Sequence, residues 1–317
     1  MNVLVTGVGG FIGSALASEL LKKGFEVIGV DSLTDNYSAS IKLNNLKELR
    51  DHENFFWDKR DLVFESPDDL IQKSDIIFHL AGQASVQNSW NQDFATYTMR
   101  NEVLTHKLLN SAINNGMPKF VFSSSSSIYG KSTSNPMKED GPKNPVSPYG
   151  VSKAAAESLV SLYGTEFGLA TTSLRYFTVF GPRQRPDMAF NKLIQAGMQG
   201  KPFHIHGDGT QTRDFTFVAD VVTANILAAT STVAPGSVFN IGGGSPNSLQ
   251  SAISIIEGYL GKKITLEKQE FGKGNPMSTE ADFSKAKQIL GWEPKVTFEE
   301  GLKCQVEWQV KNMHLYI

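Results

Sequence analysis

The stretch of this sequence best equipped for chemistry is Ser147-Pro148-Tyr149-Gly150-Val151-Ser152-Lys153. A Tyr and a Lys at this spacing fall on one helix face. Ser147 suits an N-cap and Pro148 a first helical position, so the pattern predicts a helix that starts there. A free phenol is a poor base at neutral pH, because it titrates near ~10. An ammonium beside it, helped by the positive end of the helix, favours the phenolate and is expected to lower that value. Such a pair can take the proton from a substrate hydroxyl. The plainer alternative is a packed ring and a solvated amine. Deciding between them requires a hydride acceptor and a third polar group elsewhere in the chain.

A site for a hydride acceptor is readable at the start. Met1–Thr6 is strand-like and runs directly into Gly7-Val8-Gly9-Gly10-Phe11-Ile12-Gly13. Glycines at 7, 10 and 13, between a strand and a helix, allow a tight turn and bring backbone amides close to a pyrophosphate. Asp31 ends the second strand-like run, where a carboxylate accepts hydrogen bonds from ribose hydroxyls and repels a 2′-phosphate. NAD rather than NADP is therefore the expected cofactor. Asp61 is a weaker candidate for the adenine pocket, and Phe78–Gly82 closes a further strand with small residues.

The elements that must position these groups follow an alternating pattern. Val3–Val5, Val27–Val30, Ile76–Leu80, Phe120–Phe122 and Thr172–Leu174 are short β-rich runs. Ser14–Lys23, Ala95–Asn115 and Val151–Phe167 show helical spacing, with Gly24, Gly116 and Gly168 at their expected C-terminal caps. This predicts an α/β fold with a doubly wound parallel sheet. Past residue 177 the pattern becomes mixed. The expected division is 1–177 for the cofactor and 178–317 for a smaller mixed α/β lobe, with a strand near 237–241 returning to the sheet.

Composition narrows the class. The 317 residues are 40% hydrophobic and carry a formal net charge of −2, which gives no electrostatic reason to expect nucleic acid or an anionic membrane. One cysteine, Cys304, leaves no disulfide framework and fits a reducing compartment. No apolar run approaches the ~20 residues of a membrane span. No signal-peptide pattern precedes the first strand, so a cytoplasmic location is expected. No metal site is expected.

Taken in order, Thr6–Gly13, Asp31, His79-Leu80-Ala81-Gly82, Asn101, Phe122-Ser123-Ser124-Ser125, Tyr149/Lys153 and Leu174-Arg175-Tyr176-Phe177 resemble the extended short-chain dehydrogenase/reductases that act on nucleotide sugars. The resemblance spans essentially the whole chain and implies a Rossmann sheet, NAD, a UDP-sugar substrate and a homodimer formed through a four-helix bundle. It implies Ser125, Tyr149 and Lys153 as catalytic residues. Around the cofactor it implies Gly7, Gly10, Phe11, Ile12, Gly13, Asp31, Asn36, Lys42, Asp61, Leu62, Leu80, Ala81, Gln83, Asn101, Ser123 and Tyr176, together with Tyr149 and Lys153. Around the sugar nucleotide it implies Ser85, Ser125, Ser126, Ser127, Thr178, Arg185, Gln211 and Arg213. The run Gly274-Asn275-Pro276 departs from the family's frequent Gly-Asp-Pro, and no phosphate ligand is expected there.

Within that family, dehydratases hold an Asp-Glu pair where this chain has Ser126 and Ser127, and sugar-acid decarboxylases commonly hold a Glu at the second position. Two serines cannot perform acid–base elimination. Epimerisation at carbon 4, through transient oxidation and return of the hydride, is the expected reaction. The run Gly181-Pro182-Arg183-Gln184-Arg185-Pro186-Asp187-Met188-Ala189 resembles uronic-acid 4-epimerases, with Thr178 where neutral-sugar enzymes often have Asn. Arg185 can meet a sugar carboxylate with two charge-assisted bonds. The alternatives are that it binds phosphate or pairs with Asp187. UDP-glucuronate and UDP-galacturonate are the expected pair, with UDP-glucose or UDP-N-acetylglucosamine as the alternative substrates.

Overall fold

The computed structural model describes residues 1–90, 94–131, 135–270, 274 and 276–316. Strands β1 (Asn2–Thr6), β2 (Glu26–Val30), β3 (Phe55–Asp58), β4 (Ile76–His79), β5 (Lys119–Ser125) and β6 (Thr171–Tyr176) alternate with helices. They are followed by β7 (Thr178–Phe180), β8 (Phe203–His206), β9 (Thr212–Phe217), β10 (Ser237–Ile241), β11 (Pro246–Ser248) and β12 (Leu266–Gln269). The main sheet has seven strands, in the order β10-β6-β5-β4-β1-β2-β3, and every pairing in it is parallel.

Strand periodicity explains why both faces are covered. Val3, Val5, Ile76, Phe78 and Val121 point into one core, with Leu16 and Leu20 of the helix Phe11–Lys22 and Val221 of the helix Val218–Thr230. Leu4, Ile77, Phe120 and Phe122 point the other way, onto Leu108 of the helix Leu104–Asn114 and Val160 of the helix Pro148–Phe167. Continuous apolar strands such as β4, buried at every position, suit a parallel sheet sandwiched between helix layers. Each such side chain, fully buried, contributes roughly 1.5–3 kcal/mol of transfer free energy.

Strand order reverses at β1, whose neighbours are β2 on one side and β4 on the other. The crevice beyond the carboxyl ends of these strands is where doubly wound sheets bind ligands. The helix Pro148–Phe167 enters beside it. Its Ser147 side chain accepts from the Gly150 amide at 3.0 Å, Pro148 is its first residue, and Gly168 caps it at φ 68°. The first helix begins at Phe11, three residues ahead of the expected Ser14.

The expected helix Ala95–Asn115 is not uniform. A short turn at Phe94–Tyr97 leads into a π-helical segment, Thr98–Val103, and then the α-helix Leu104–Asn114. Such widenings are frequent at functional sites, because they redirect side chains that regular helical spacing would bury elsewhere.

After β6 the chain builds a smaller lobe. β7 and β11 flank β9, and β8 pairs with β12. Phe180, Phe190, Ile194, Ile253 and Leu302 form its core. Between these pieces, β10 returns to the main sheet and pairs with β6 from Ser237↔Thr172 to Ile241↔Tyr176. Among the described residues, no helix is long and apolar enough to cross a membrane.

Candidate active site

A cavity of about 480 Å³ opens beyond the carboxyl ends of β1, β4, β5 and β6. Gly7, Gly10, Phe11, Ile12 and Gly13 line one end. Gly7 has φ +73°, and a Cβ there would come within 2.8 Å of the Ala81 backbone nitrogen, so only glycine lets these loops meet. The following helix has an extended Gly10 as its N-cap, and no side chain caps it. The amides of Phe11, Ile12 and Gly13 therefore lack intrahelical acceptors and present the positive helix end to the cavity. Asp31 also lines it, accepting from the Gly9 amide at 2.9 Å and the Leu33 amide at 2.8 Å. An uncapped helix end beside a fixed carboxylate fits a dinucleotide with a free ribose 2′-hydroxyl.

Asn36, Lys42, Asp61 and Leu62 continue this wall. Lys42 is buried, and its ammonium donates to the Thr34 carbonyl at 2.7 Å. Asp61 is paired with Arg100 at 3.0 Å. Leu80, Ala81 and Gln83 line the middle, and Asn101 from the π-helical segment holds that loop. Asn101 accepts from the Gln83 amide at 2.8 Å, donates to the Gln83 carbonyl at 3.0 Å, and donates to Ser152 Oγ at 2.8 Å. It thereby ties the cofactor-side loop to the helix that bears Tyr149 and Lys153.

Ser123, Ser125, Ser126 and Ser127 all line the cavity at the end of β5, as does Ser124, whose hydroxyl turns back to donate to Glu157 at 2.6 Å. Ser125 Oγ accepts from the Ser127 amide at 3.2 Å and hydroxyl at 2.8 Å. Gly150 permits the approach of the next element, since a Cβ there would meet the Ser127 carbonyl at 2.7 Å. Tyr149, Lys153 and Ser125 are thus brought to one place. Lys153 is 6% exposed, with its ammonium 4.3 Å from the Phe122 ring centroid. Tyr176 donates to Asn225 at 2.9 Å from below.

The electrostatics correct one expectation. Burial pushes the Tyr149 phenol above its ordinary value, while the Ser125 hydroxyl and the Arg185 charge act in the lowering direction. Burial also brings Lys153 down to about 7, with the Glu157 charge opposing. Desolvation here outweighs the mutual attraction that the spacing suggests.

Glu157, one turn beyond Lys153, was not singled out in the sequence, although that spacing on one helix was the available signal. It is fully buried and accepts from Arg175 through both oxygens, at 2.8 and 2.9 Å, and from Lys143 at 2.8 Å. These bonds hold its carboxyl down at about 2 despite burial. Arg175 also donates to Tyr129 at 2.6 Å, and Tyr129 donates to Asn240 on β10 at 2.7 Å. The strand carrying Ser125, the helix carrying Lys153 and the returning strand share one polar network.

Ser85, Thr178, Arg185 and Arg213 also line the cavity. Ser85 holds φ +111°, a strained conformation for a non-glycine residue. Arg213 donates to the Thr212 carbonyl at 2.8 Å and has no acidic partner among the described residues. Burial lowers its affinity for its proton, which marks a cation in need of an anion. Arg185 lines the cavity and also forms a two-bond pair with Asp187. Tyr37 and Tyr97, not anticipated, stand near it; the Tyr97 ring is 6.4 Å from that of Tyr149.

Gln211 does not line this cavity; its amide donates to the His206 carbonyl at 3.2 Å, and its Oε1 is buried without a hydrogen-bond partner. His204 and His206 lie on β8, and Asp220 accepts from the Val296 amide as a packing residue. Asn275 lies outside the described residues.

Comparison with known proteins agrees with this geometry. The model of the family described as NAD dependent epimerase/dehydratase matches residues 3–242. The chain is 40% identical to a UDP-glucuronate 4-epimerase of Thermodesulfobacterium geofontis, over 98% of this chain and 97% of that one. It is also 40% identical to a Bacillus subtilis protein named an uncharacterized UDP-glucose epimerase, over 97% of this chain and 98% of that one. A crystal structure of UDP-glucuronic acid 4-epimerase from Bacillus cereus, in complex with UDP-glucuronic acid and NAD, superposes with a TM-score of 0.95 at 38% identity, covering 99% of this chain and 100% of that one. With a glycine-lined helix end, an acid closing the second strand and Ser125, Tyr149 and Lys153 gathered in one cavity, this chain belongs to the NAD-dependent epimerase/dehydratase family.

Proposed function

We propose that the protein is an NAD-dependent UDP-sugar 4-epimerase whose preferred pair is UDP-glucuronate and UDP-galacturonate. The observation that carries this reading is one cavity lined by Ser125, Tyr149 and Lys153 together with Arg185, whose charge acts on the Tyr149 phenol. Bound NAD supplies a hydride acceptor that later returns the hydride. Residues 1–177, completed by β10, hold the cofactor, and 178–317 hold the nucleotide sugar, with Arg213 on the diphosphate.

Ser125 orients the sugar's 4-hydroxyl and Tyr149 takes its proton, its ionised form favoured by the Ser125 hydroxyl and the Arg185 charge that act against burial. The resulting 4-keto sugar turns over and is reduced on its other face. A 4-keto uronate is a β-keto acid and loses carbon dioxide readily. Arg185 restrains that carboxylate by charge-assisted bonds while the ring turns. Ser126 and Ser127 offer no acid or base to divert the intermediate into dehydration.

The helices Leu104–Asn114 and Pro148–Phe167 pack together and leave Val151 and Leu162 exposed on one face of the second. We assign this face to a homodimer interface. A second substrate reading, a neutral or N-acetylated UDP-sugar, is favoured by the Asp187 carboxylate already paired with Arg185.

Product NMR on purified protein given UDP-glucuronate tests the proposal. UDP-galacturonate without net NADH supports it; a pentose product, net NADH, or conversion of UDP-glucose alone overturns it. Arg185→Ala is expected to cut UDP-glucuronate turnover far more than Tyr176→Phe, and equal losses remove the carboxylate role.

A further inference from the structure

Arg185 lines the cavity and Asp187 does not. Between them Nε donates to Oδ1 at 2.9 Å and Nη2 donates to Oδ2 at 2.9 Å. This contact occupies the side edge of the guanidinium, two of its five N–H bonds. The end edge, spanning Nη1 and the second Nη2 hydrogen, has no hydrogen-bond partner among the described residues and can take another planar, two-oxygen acceptor. Asp187 is two residues further along a tight segment, where the Met188 amide donates to the Arg185 carbonyl at 3.1 Å and the helix Ala189–Gln199 begins. It is therefore anchored by the backbone, whereas the Arg185 stem is long and has many rotamers.

We propose that Asp187 is a positioning residue for substrate selection: by holding Arg185 along its side edge, it presents the end edge to the sugar carboxylate. The idea rests on the uronate reading above. One guanidinium then bridges two carboxylates, one belonging to the protein and one to the substrate. Asp187 does not touch the substrate; it removes the rotamer search that Arg185 would otherwise undergo on binding. A neutral sugar gains nothing from this arrangement, so the effect is confined to the acidic substrate.

The test compares wild type with Asp187→Ala, Asp187→Asn and Asp187→Glu, using steady-state kinetics with UDP-glucuronate, calorimetric affinity for UDP, and melting temperature. Asp187→Ala is expected to raise KM for UDP-glucuronate about tenfold with kcat changed less than about threefold, the signature of lost ground-state binding. Asp187→Asn, which keeps one acceptor, is expected to fall between, with UDP affinity unchanged in both. Weakened UDP binding in step with KM would show a general structural role and overturn the proposal. A lowered KM in Asp187→Ala would show Asp187 to be a competitor for Arg185, and overturns it too. Wild-type KM in Asp187→Ala, in a protein that does convert UDP-glucuronate, removes the positioning role alone. A wild type that does not convert UDP-glucuronate removes the uronate reading and this proposal together.

Discussion

Replacing Glu157 by glutamine preserves volume and removes one charge, at a place where the cost can be worked out from the surroundings. Its partner Arg175 is 1% exposed, and Ser124 and Lys143 complete the shell. Glutamine leaves the guanidinium buried without a counter-charge, and breaking a buried pair from one side costs about 3–5 kcal/mol. A second route gives a similar figure. The Glu157 carboxyl is lowered from 4.5 to about 2, and that difference converts to roughly 3 kcal/mol of stability at neutral pH. Because the folded value is the lower one, this contribution is fully present above about pH 4.5 and is lost as pH falls toward 2. Urea unfolding of both proteins at pH 7 and near pH 3 is the assay. The gap is expected to be about 3–5 kcal/mol at pH 7 and to narrow in acid. A Glu157→Gln protein within about 1 kcal/mol of wild type at pH 7 refutes the reasoning.

Two further outcomes follow from the reacting end of the cavity. Tyr149→Phe is expected to lower kcat by about 10²–10⁴-fold while UDP affinity is retained, since it removes the proton acceptor and little of the binding surface; a kcat within tenfold of wild type assigns the proton to another group. Gly150→Ala pushes a methyl toward the Ser127 carbonyl, 2.7 Å away, so helix and serine turn must separate. Its kcat and melting temperature are expected to fall together, and wild-type kcat would show that Ser125 and Tyr149 tolerate looser spacing.

What could be read in the sequence was local in character. The glycine run, Asp31 and the Ser-Pro start of the Tyr149 helix each encode a turn or a cap within a few residues, and the structure has each turn where the residues imply it. Alternating strands and helices likewise announced the sheet, including the late strand β10. Less legible were properties set by residues distant in the chain. The direction of the Tyr149 shift depends on how deeply the pocket buries it, and spacing along one helix says nothing about that. The π-helical turn at Asn101 is fixed by its bonds to Gln83 and Ser152, so helical periodicity over Ala95–Asn115 passed over it. Gln211 lies close in sequence to Arg213 but hydrogen-bonds back to β8, a difference that residue type does not announce. Tyr37 and Tyr97 approach Arg185 only through tertiary folding.

The place of β10 in the main sheet has a consequence for the order of events during synthesis. Its partner β6 ends at Tyr176, yet β10 starts at Ser237, so about sixty residues, β7, β8 and β9 of the smaller lobe among them, emerge first. Until then β6 is an unpaired edge, with Arg175 reaching toward a network whose Asn240 has not yet been made. The two lobes are threaded through each other and cannot mature one after the other like beads on a string. A ribosome-bound chain stalled before residue 237 holds the glycine loop, the serines, Tyr149 and Lys153, but it holds them on a sheet still missing its outer strand.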